Sequence, residues 1–310
     1  MRRTNLKIIL IREGGKVKIR KAVIPAAGFG TRFLPATKAS PKEMLPVVDK
    51  PVIQYIVEEA AQSGIEEVII ITGSNKRSIE DHFDYNFELE YRLKQAGKHE
   101  LCEEIRKISD MVKIVYVRQK EQLGNGHAVL QAKEIVGDEP FAVMWGDEFV
   151  DSKTPWLKQL IEVYEKYRAS VIAAMKVDDE ATKQYGIIEG KSIEPKVTLV
   201  SRLIEKPGPE AVKSRLASVG RYILHPAIFE ILPHTPPHKD GEIYLPDAIN
   251  ILAQKQAVYA YEFEGIRFDT GNKLGFLKAT VHFGLKHNDL REPFKEYLVK
   301  KISNSNYNKN

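Results

Sequence analysis

Short apolar runs alternate along the chain with longer segments in which apolar residues recur at helical spacing. The runs have the length and β-branched content of buried strands and lie at Lys21–Ala27, Glu67–Thr72, Val112–Val117, Phe141–Trp145 and Val171–Val177. Helical spacing predicts helices over Pro51–Ser63, Gly124–Val136 and Pro155–Tyr167. This alternation is typical of a mostly parallel sheet with helices on both faces.

Beyond about residue 185 the pattern changes to short strand-like segments separated by turns. They read YGIIEG (185–190), VTLVSRLIEKPG (197–208), ASVGRYIL (217–224) and AVYAYEF (257–263). Helices are predicted over Pro246–Lys255 and Lys273–Lys286, and a polar helix within an insertion at 84–110. We therefore expect an α/β fold, with a Rossmann-like, mixed, mostly parallel sheet flanked by helices and a smaller added β-sheet.

Composition places the chain among ordinary globular proteins. Of its 310 residues 43% are apolar and 29% are charged, and no apolar run approaches the length that spans a bilayer. The net charge of +5 suits anionic small molecules, and no basic cluster favours nucleic acid. A single cysteine, Cys102, excludes an internal disulfide and indicates a reducing compartment. The apolar stretch near the N-terminus is too short for a secretory signal, so we expect a cytoplasmic protein with no membrane partner.

A glycine-rich turn, Ala26-Ala27-Gly28-Phe29-Gly30-Thr31-Arg32, directly follows the first predicted strand. Glycines let backbone N–H groups approach phosphates closely. A dinucleotide-binding loop would need a third glycine where Phe33 stands, and a Walker P-loop would need a GK[ST] sequence that is absent. Taken alone, the motif is also compatible with a tight strand–helix turn.

The motif continues as GFGTRFLPATKASPKEMLP over 28–46, and this run resembles the signature of sugar-nucleotide pyrophosphorylases, in particular bacterial and archaeal UTP–glucose-1-phosphate uridylyltransferases. The resemblance extends over about 21–287. It implies a nucleotidyltransferase, glycosyltransferase-A-like fold with a nucleotide half at about 21–150, a sugar-phosphate half at about 151–287 and C-terminal helices to about 302. Residues 1–20 would then be an extension, with a hairpin around Gly14–Gly15 as one alternative, and 303–310 a polar tail.

The resemblance assigns the nucleotide site to the glycine loop and to the segment RQKEQLGNGHA (118–128). Arg32 and Lys42 would be catalytic cations over the triphosphate. Gln119 would bind the uracil edge, with Gly124 behind the base. His127, which begins a helix without a metal-ligand partner at i+4, is expected to be structural. The implied nucleotide-binding set is Ala27, Gly28, Gly30, Thr31, Arg32, Lys42, Gln119, Gly124 and Asp147.

Two aspartates each follow a strand, Asp147 in Gly146-Asp147-Glu148 and Asp269 in Phe268-Asp269-Thr270-Gly271. Alone, each would more often be a turn or cap residue. The resemblance assigns both to one catalytic Mg²⁺, which prefers a few hard oxygen ligands with water and phosphate completing its octahedron.

The resemblance assigns the sugar phosphate to Glu205-Lys206-Pro207, with Lys206 as a catalytic cation on the phosphate and Glu205 on the sugar hydroxyls, and with Gly186 and Gly220 lining the pocket. The family's usual glutamine-and-threonine version of segment 242–247 is here Glu242-Ile243-Tyr244-Leu245-Pro246-Asp247, which leaves the sugar selectivity open.

The implied reaction converts UTP and glucose 1-phosphate to UDP-glucose and pyrophosphate. A thymidylyltransferase, or an enzyme that uses both UTP and dTTP, stays an alternative, and so does a catalytically silent regulatory subunit on the same fold. The resemblance to this family implies a homodimer or homotetramer. Leu274, Leu277, Val281 and Leu285 share one helical face, for which we take core packing as the default over a subunit interface.

Overall fold

The computed structural model describes residues 17–304 of the chain. The strands are β1 (Lys21–Pro25), β2 (Pro46–Val47), β3 (Lys50–Pro51), β4 (Glu67–Thr72), β5 (Lys113–Arg118), β6 (Phe141–Met144), β7 (Glu148–Asp151), β8 (Ser170–Lys176), β9 (Gly186–Glu194), β10 (Val197–Ile204), β11 (Leu216–Leu224), β12 (Val258–Glu262) and β13 (Ile266–Asp269). The α-helices are α1 (Val52–Gln62), α2 (Arg77–Phe83), α3 (Phe87–Gln95), α4 (His99–Ser109), α5 (Asn125–Leu130), α6 (Lys133–Val136), α7 (Trp156–Tyr167), α8 (Ile228–Ile231), α9 (Leu245–Ala253), α10 (Lys273–Gly284) and α11 (Arg291–Ser303).

A nine-stranded mixed sheet in the order β5-β4-β1-β6-β11-β8-β12-β10-β9 forms the centre of the molecule. The first four strands are parallel, with Val23 opposite Ile69 on one side and Val143 on the other. Beyond β6 most neighbours are antiparallel, because β11 runs against both β6 and β8, and only β8 and β12 are parallel there. The parallel half therefore carries the crossover helices, and its carboxyl ends form one edge.

Alternate residues of the central strands enter two cores on opposite faces of the sheet. Ile24, Val68 and Ile70 join α1 and α7 on one face, whereas Val23 and Ile69 join α5, α8 and α9 on the other. Strands that are covered on both faces need apolar residues at every position. This explains why these runs are continuous rather than alternating.

The smaller sheets are present, but in places other than those predicted. The segments expected to form the added sheet, YGIIEG through AVYAYEF, lie in β9–β12 of the main sheet. The separate sheets are instead the pairs β7–β13 and β2–β3. The four-residue strand β7 follows β6 so closely that its apolar pattern merges with that of β6, and the sequence pattern alone does not separate the two.

Two helical predictions also need correction. The helix predicted over Gly124–Val136 is divided into α5 and α6 by a turn at Gln131 and Ala132. The stretch 84–110 contains two helices, α3 and α4, because Gly97 takes a left-handed φ of 70° between them. The hairpin predicted around Gly14–Gly15 and most of the polar tail lie outside the described residues.

Every helix within residues 17–304 is too short or too polar to cross a membrane.

Candidate active site

A cavity of about 470 Å³ opens at the carboxyl ends of β1, β5 and β6. Ligand sites commonly lie beyond such strand ends in α/β sheets and measure about 300–1,000 Å³. Of the predicted nucleotide-binding residues, those that line the cavity are Ala27, Gly28, Gly30, Thr31, Lys42, Gln119, Gly124 and Asp147. Arg32 is not among the lining residues; its guanidinium lies beside them, with Nη1 3.4 Å from the carbonyl oxygen of Gly271.

The glycine loop presents its backbone to this cavity. Gly30 has a left-handed φ of 67°, and Thr37 donates a hydrogen bond from Oγ1 to the Gly30 carbonyl at 2.8 Å. The N–H groups of Gly28 to Thr31 donate to no acceptor in the part of the chain that the structure describes. A row of unpaired backbone N–H groups at a strand end is suited to binding phosphate oxygens.

Lys42 and the two predicted metal-binding aspartates meet at one point. Lys42 Nζ donates to Asp147 Oδ2 at 2.5 Å. A side chain at Gly271 would begin 2.5 Å from that same oxygen and 3.0 Å from Asp269 Oδ1, so both carboxylates border the space above Gly271. The hydroxyl and the N–H of Thr270 both donate to the Asp147 carbonyl, at 2.7 and 2.8 Å. These bonds fix the end of β13 against the turn after β6.

The local charges move the pKa values of the two carboxyls in opposite directions. Burial alone would raise the pKa of Asp147, but the Lys42 ammonium, together with Arg267 and Arg32, outweighs burial and holds this pKa below its usual range. Burial, with Glu148 and Asp147 nearby, raises the pKa of Asp269. Burial alone would lower the pKa of Lys42, yet Asp147 and Glu43 raise it above its usual value. The crevice therefore holds a charged lysine and a charged aspartate. The second carboxyl, Asp269, lies 3.9 Å from the Arg267 guanidinium, which is bound more closely to Glu148.

Asp147 and Asp269 fit a magnesium ion better than an ion that needs a full protein cage. No cluster of three or more His, Cys, Asp or Glu side chains suited to a metal occurs among the described residues. Mg²⁺ is usually held by one or two carboxylates together with water and substrate phosphates. Two carboxylates beside a glycine loop suited to binding phosphate match that donor set.

The predicted base-binding residues lie at the other end of the cavity. Gln119 is buried, and its Nε2 donates to the Gly124 carbonyl at 3.2 Å and lies 2.9 Å from His127 Nδ1. His127 in turn contacts Gln131, and the structural role expected for it stays a prediction. Gly124 has a φ of 94°, and a Cβ there would come 2.6 Å from the Ile243 carbonyl oxygen. Only glycine lets this loop approach segment 242–247.

The predicted sugar-phosphate residues lie beside the cavity and do not line it. Glu205 Oε2 is 3.0 Å from the position of a Cβ at Gly186, and the Lys206 ammonium is 3.4 Å from Glu205 Oε1. Burial raises the pKa of Glu205, although Lys206 opposes this. Gly220 allows the Trp145 indole to lie over β11, since a Cβ there would be 1.7 Å from Trp145 Cδ1.

An ion pair between β7 and β13 joins the two regions, and the sequence analysis did not identify it. Arg267 binds Glu148 at 2.8 and 2.9 Å and contacts the Tyr185 hydroxyl at 3.2 Å. Glu148 Oε2 also accepts from the Gly220 N–H at 3.3 Å. The sequence held one signal for this pair. Side chains alternate between the two faces of a strand, so Arg267 and Asp269 lie on the same face of β13.

A second missed pair holds the turn that carries Asp147. Arg221 is completely buried and binds Glu59 of α1 through Nε and Nη2 at 2.9 and 2.6 Å. The same guanidinium donates to the carbonyls of Gly220 and Glu148, both at 3.0 Å, and to that of Trp145 at 3.5 Å. The Glu148 and Trp145 carbonyls flank Asp147, so Arg221 fixes the backbone on both sides of it.

Residues 21–284 match the family described as "Nucleotidyl transferase". The chain belongs to this family. Similarity to curated relatives extends over nearly the whole chain. The chain is 52% identical to the UTP–glucose-1-phosphate uridylyltransferase of Bacillus subtilis (strain 168), over 92% of this chain and 98% of that protein.

Solved structures of nucleotidyl transferases match the fold closely. The UTP-bound UDP-glucose pyrophosphorylase from Acinetobacter baumannii is 44% identical, with a TM-score of 0.84 over 91% of this chain and 99% of that one. A UDP-glucose pyrophosphorylase complexed with UDP-glucose is 43% identical, with a TM-score of 0.80 over 87% of this chain and 100% of that one. The resemblance inferred from the signature at 28–46 is thereby confirmed.

Proposed function

We propose that the protein transfers the uridylyl group of UTP to glucose 1-phosphate, giving UDP-glucose and pyrophosphate. The observation that carries the proposal is the meeting of Lys42, Asp147 and Asp269 beside a glycine loop whose N–H groups donate to no acceptor within residues 17–304. The names of the relatives and of the complexed structures support UTP and UDP-glucose as substrate and product.

The uracil would bind between Gln119 and Gly124. The Gln119 amide nitrogen is engaged by the Gly124 carbonyl and His127, whereas its oxygen accepts no hydrogen bond from the described residues. That oxygen can accept the N3–H of uracil. Because thymine presents the same N3–H, this bond does not distinguish dTTP from UTP. A contact at the thymine methyl group or at the ribose 2′-hydroxyl, which dTTP lacks, would have to do so.

The triphosphate would lie along the glycine loop, with Arg32 and Lys42 as its cations. Asp147 and Asp269 would hold Mg²⁺, which when bound supplies positive charge and orients the phosphates. Lys42 bonds Asp147, which supports a position for its ammonium between the metal ion and the phosphate chain. Rigid placement of these groups lowers the reorganisation needed in the transition state.

Glucose 1-phosphate would bind on the side of Glu205 and Lys206, with Gly186 and Gly220 lining the pocket. The missing side chain at Gly220 makes room for the Trp145 indole, which would then form part of the pocket wall. Its phosphate is largely dianionic at pH 7, since the second pKa is about 6, and needs no general base to attack the α-phosphorus of UTP in line. The chief obstacle is repulsion, because like unit charges 4 Å apart interact by about 4 kcal/mol at an effective dielectric constant of 20. Arg32, Lys42 and Lys206 would offset this repulsion and align the reactants.

The test is pyrophosphate release by the purified full chain with Mg²⁺, comparing UTP with dTTP and glucose 1-phosphate with galactose 1-phosphate. We expect release that requires both UTP and glucose 1-phosphate. Equal rates with dTTP would show that the site selects neither against the methyl group nor for the ribose 2′-hydroxyl. Folded protein that releases no pyrophosphate with any pair would refute the proposal and favour a regulatory subunit.

Assembly and location also stay predictions. Leu274 and Leu277 of α10 are 62% and 60% exposed, so core packing, the default expected for this face, is wrong for them. We propose that a second copy of the chain covers them in a homodimer or homotetramer. Light scattering on Leu274→Glu and on the unaltered chain tests this, since an unchanged mass would exclude the face. A cytoplasmic location is proposed on the basis of Cys102, which is a free thiol.

A further inference from the structure

Lys206 has an unusual backbone conformation, and its side chain contacts a defined partner. Its φ is 45°, in the left-handed region that non-glycine residues seldom adopt, and Pro207 follows directly. Its N–H donates to the Tyr185 carbonyl at 3.2 Å, which fixes this backbone next to Gly186. Such strained residues are found where the surrounding structure imposes them, often at functional sites.

The Lys206 ammonium lies 5.5 Å from the centre of the Tyr244 ring. The ring face carries negative potential and attracts a cation at this distance. Because half of the lysine side chain is exposed, the ring is a lateral support that leaves the ammonium open to a ligand.

Tyr244 is itself held from two sides. Its hydroxyl donates to Asp240 Oδ2 at 2.6 Å, and its ring meets the His238 imidazole edge-on at 4.4 Å. His238 Nε2 lies 2.5 Å from Asp247 Oδ2, so the imidazole is anchored as well. The ring beneath Lys206 is therefore part of a fixed group of side chains within segment 238–247.

The same segment contacts the base-binding loop. The Ile243 N–H donates to the Leu123 carbonyl, and the Ile243 carbonyl accepts from the Gly126 N–H, both at 2.8 Å. Glu242 lines the nucleotide cavity. Tyr244 is thus tied through the backbone to the nucleotide site and through its ring to Lys206.

We propose that Tyr244 is a positioning residue for Lys206, one that holds the ammonium group where the phosphate of the sugar substrate arrives. This inference rests on the proposed function. A lysine on an exposed strand end loses rotational freedom when it binds a phosphate, and a support that restricts it beforehand reduces that loss. We expect loss of the Tyr244 ring to change the KM for the sugar phosphate and to leave the KM for UTP unchanged.

The test compares steady-state kinetics of the full chain and the variants Tyr244→Phe, Tyr244→Leu and Tyr244→Met. We expect Tyr244→Phe to keep the KM for glucose 1-phosphate near that of the unaltered chain, because it retains the ring. The leucine and methionine variants should raise this KM about two- to fivefold, the range for a cation–ring contact at a partly exposed site, with the KM for UTP unchanged. Methionine provides a second ring-free variant should leucine destabilise the segment.

Two controls separate positioning from general damage. Tyr167→Leu removes a ring from a comparable lysine–tyrosine contact, with Lys166 at 5.2 Å, on α7 away from the cavity, and should change neither KM. In a Lys206→Ala background, Tyr244→Leu should add no further rise, since its effect passes through Lys206.

Equal KM shifts for both substrates, or no shift in either ring-free variant, would overturn the role of Tyr244. An additional loss in the Lys206→Ala background would overturn it as well. Absence of turnover by the unaltered chain would instead refute the proposed function, so the two failures are distinguishable.

Discussion

Replacement of Arg221 by methionine tests whether the buried pair with Glu59 stabilises the turn that carries Asp147. The variant removes both bonds to Glu59 and the donors to three backbone carbonyls. The guanidinium lies 4.6 Å from the Trp156 ring, so a methionine of similar length fills much of the same space. The perturbation is therefore mainly electrostatic rather than a large cavity.

The magnitude follows from what is left behind. Without Arg221, the Glu59 carboxylate keeps one bond, from the Leu157 N–H at 2.8 Å, in a site almost closed to solvent. Loss of one partner of a buried ion pair costs about 3–5 kcal/mol, because the remaining charge is uncompensated. That is a large part of the 5–15 kcal/mol by which native proteins are typically stable.

Urea unfolding followed by circular dichroism measures this cost. The double variant Glu59→Gln/Arg221→Met should recover about half of the loss, because the amide that replaces the carboxylate carries no charge yet could still accept from the Leu157 N–H. Arg92→Met is the matched control: its pair with Glu88 on the surface of α3 is exposed, and its loss should stay below about 1 kcal/mol. The reasoning is refuted if Arg221→Met also costs less than about 1 kcal/mol, or if the double variant is no more stable than the single one.

Three further predictions concern the charged groups. Asp147→Asn should abolish Mg²⁺-dependent pyrophosphate release while circular dichroism shows an intact fold; a fully active variant would exclude the metal role. Lys206→Ala should raise the KM for glucose 1-phosphate far more than the KM for UTP, and equal rises would contradict its assignment to the sugar phosphate. Burial would raise the pKa of Asp151, but Lys286 and His282 together lower it below its usual value. The stabilising effect of this carboxylate should therefore be present at neutral pH and disappear as the pH falls through the lowered pKa. Urea midpoints of Asp151→Asn and the unaltered chain should accordingly converge below about pH 4, and a constant difference down to about pH 2 would contradict the linkage.

The parallel half of the fold was predictable because its information is local. β1, β4, β5 and β6 are short runs in which nearly every residue is apolar, and α1 and α7 carry their apolar stripe at regular spacing. The order of strands beyond β6 was not predictable in this way. β9 and β10 contain the same residue types whether they form a separate sheet or join β12, and their neighbour is fixed by pairing between distant positions, as between Leu199 and Tyr259.

The residues gathered around the cavity were predictable for a different reason. Gly28, Gln119 and Asp147 each follow a strand of the parallel half, and the carboxyl ends of parallel strands meet at one edge. The ion pairs that hold these residues in place, Arg221–Glu59 and Arg267–Glu148, were not predictable, because each pair joins distant elements. Glu59 interrupts the apolar face of α1, which marks it as unusual, but nothing near it in the sequence identifies Arg221, 162 positions away, as its partner.

These ion pairs and hydrogen bonds connect the predicted nucleotide side of the site to the predicted sugar side. Asp269 lies opposite Glu148 in the β7–β13 pair, and Glu148 binds both Arg267 and the Gly220 N–H on the sugar side. Thr270, one residue after Asp269, binds the carbonyl of Asp147 on the nucleotide side. The end of β13 therefore contacts both the turn that carries Asp147 and, through Glu148, the sugar-side strand. These bonds fix Asp147 and Asp269 relative to each other, as the proposed in-line transfer between two bound phosphates would require.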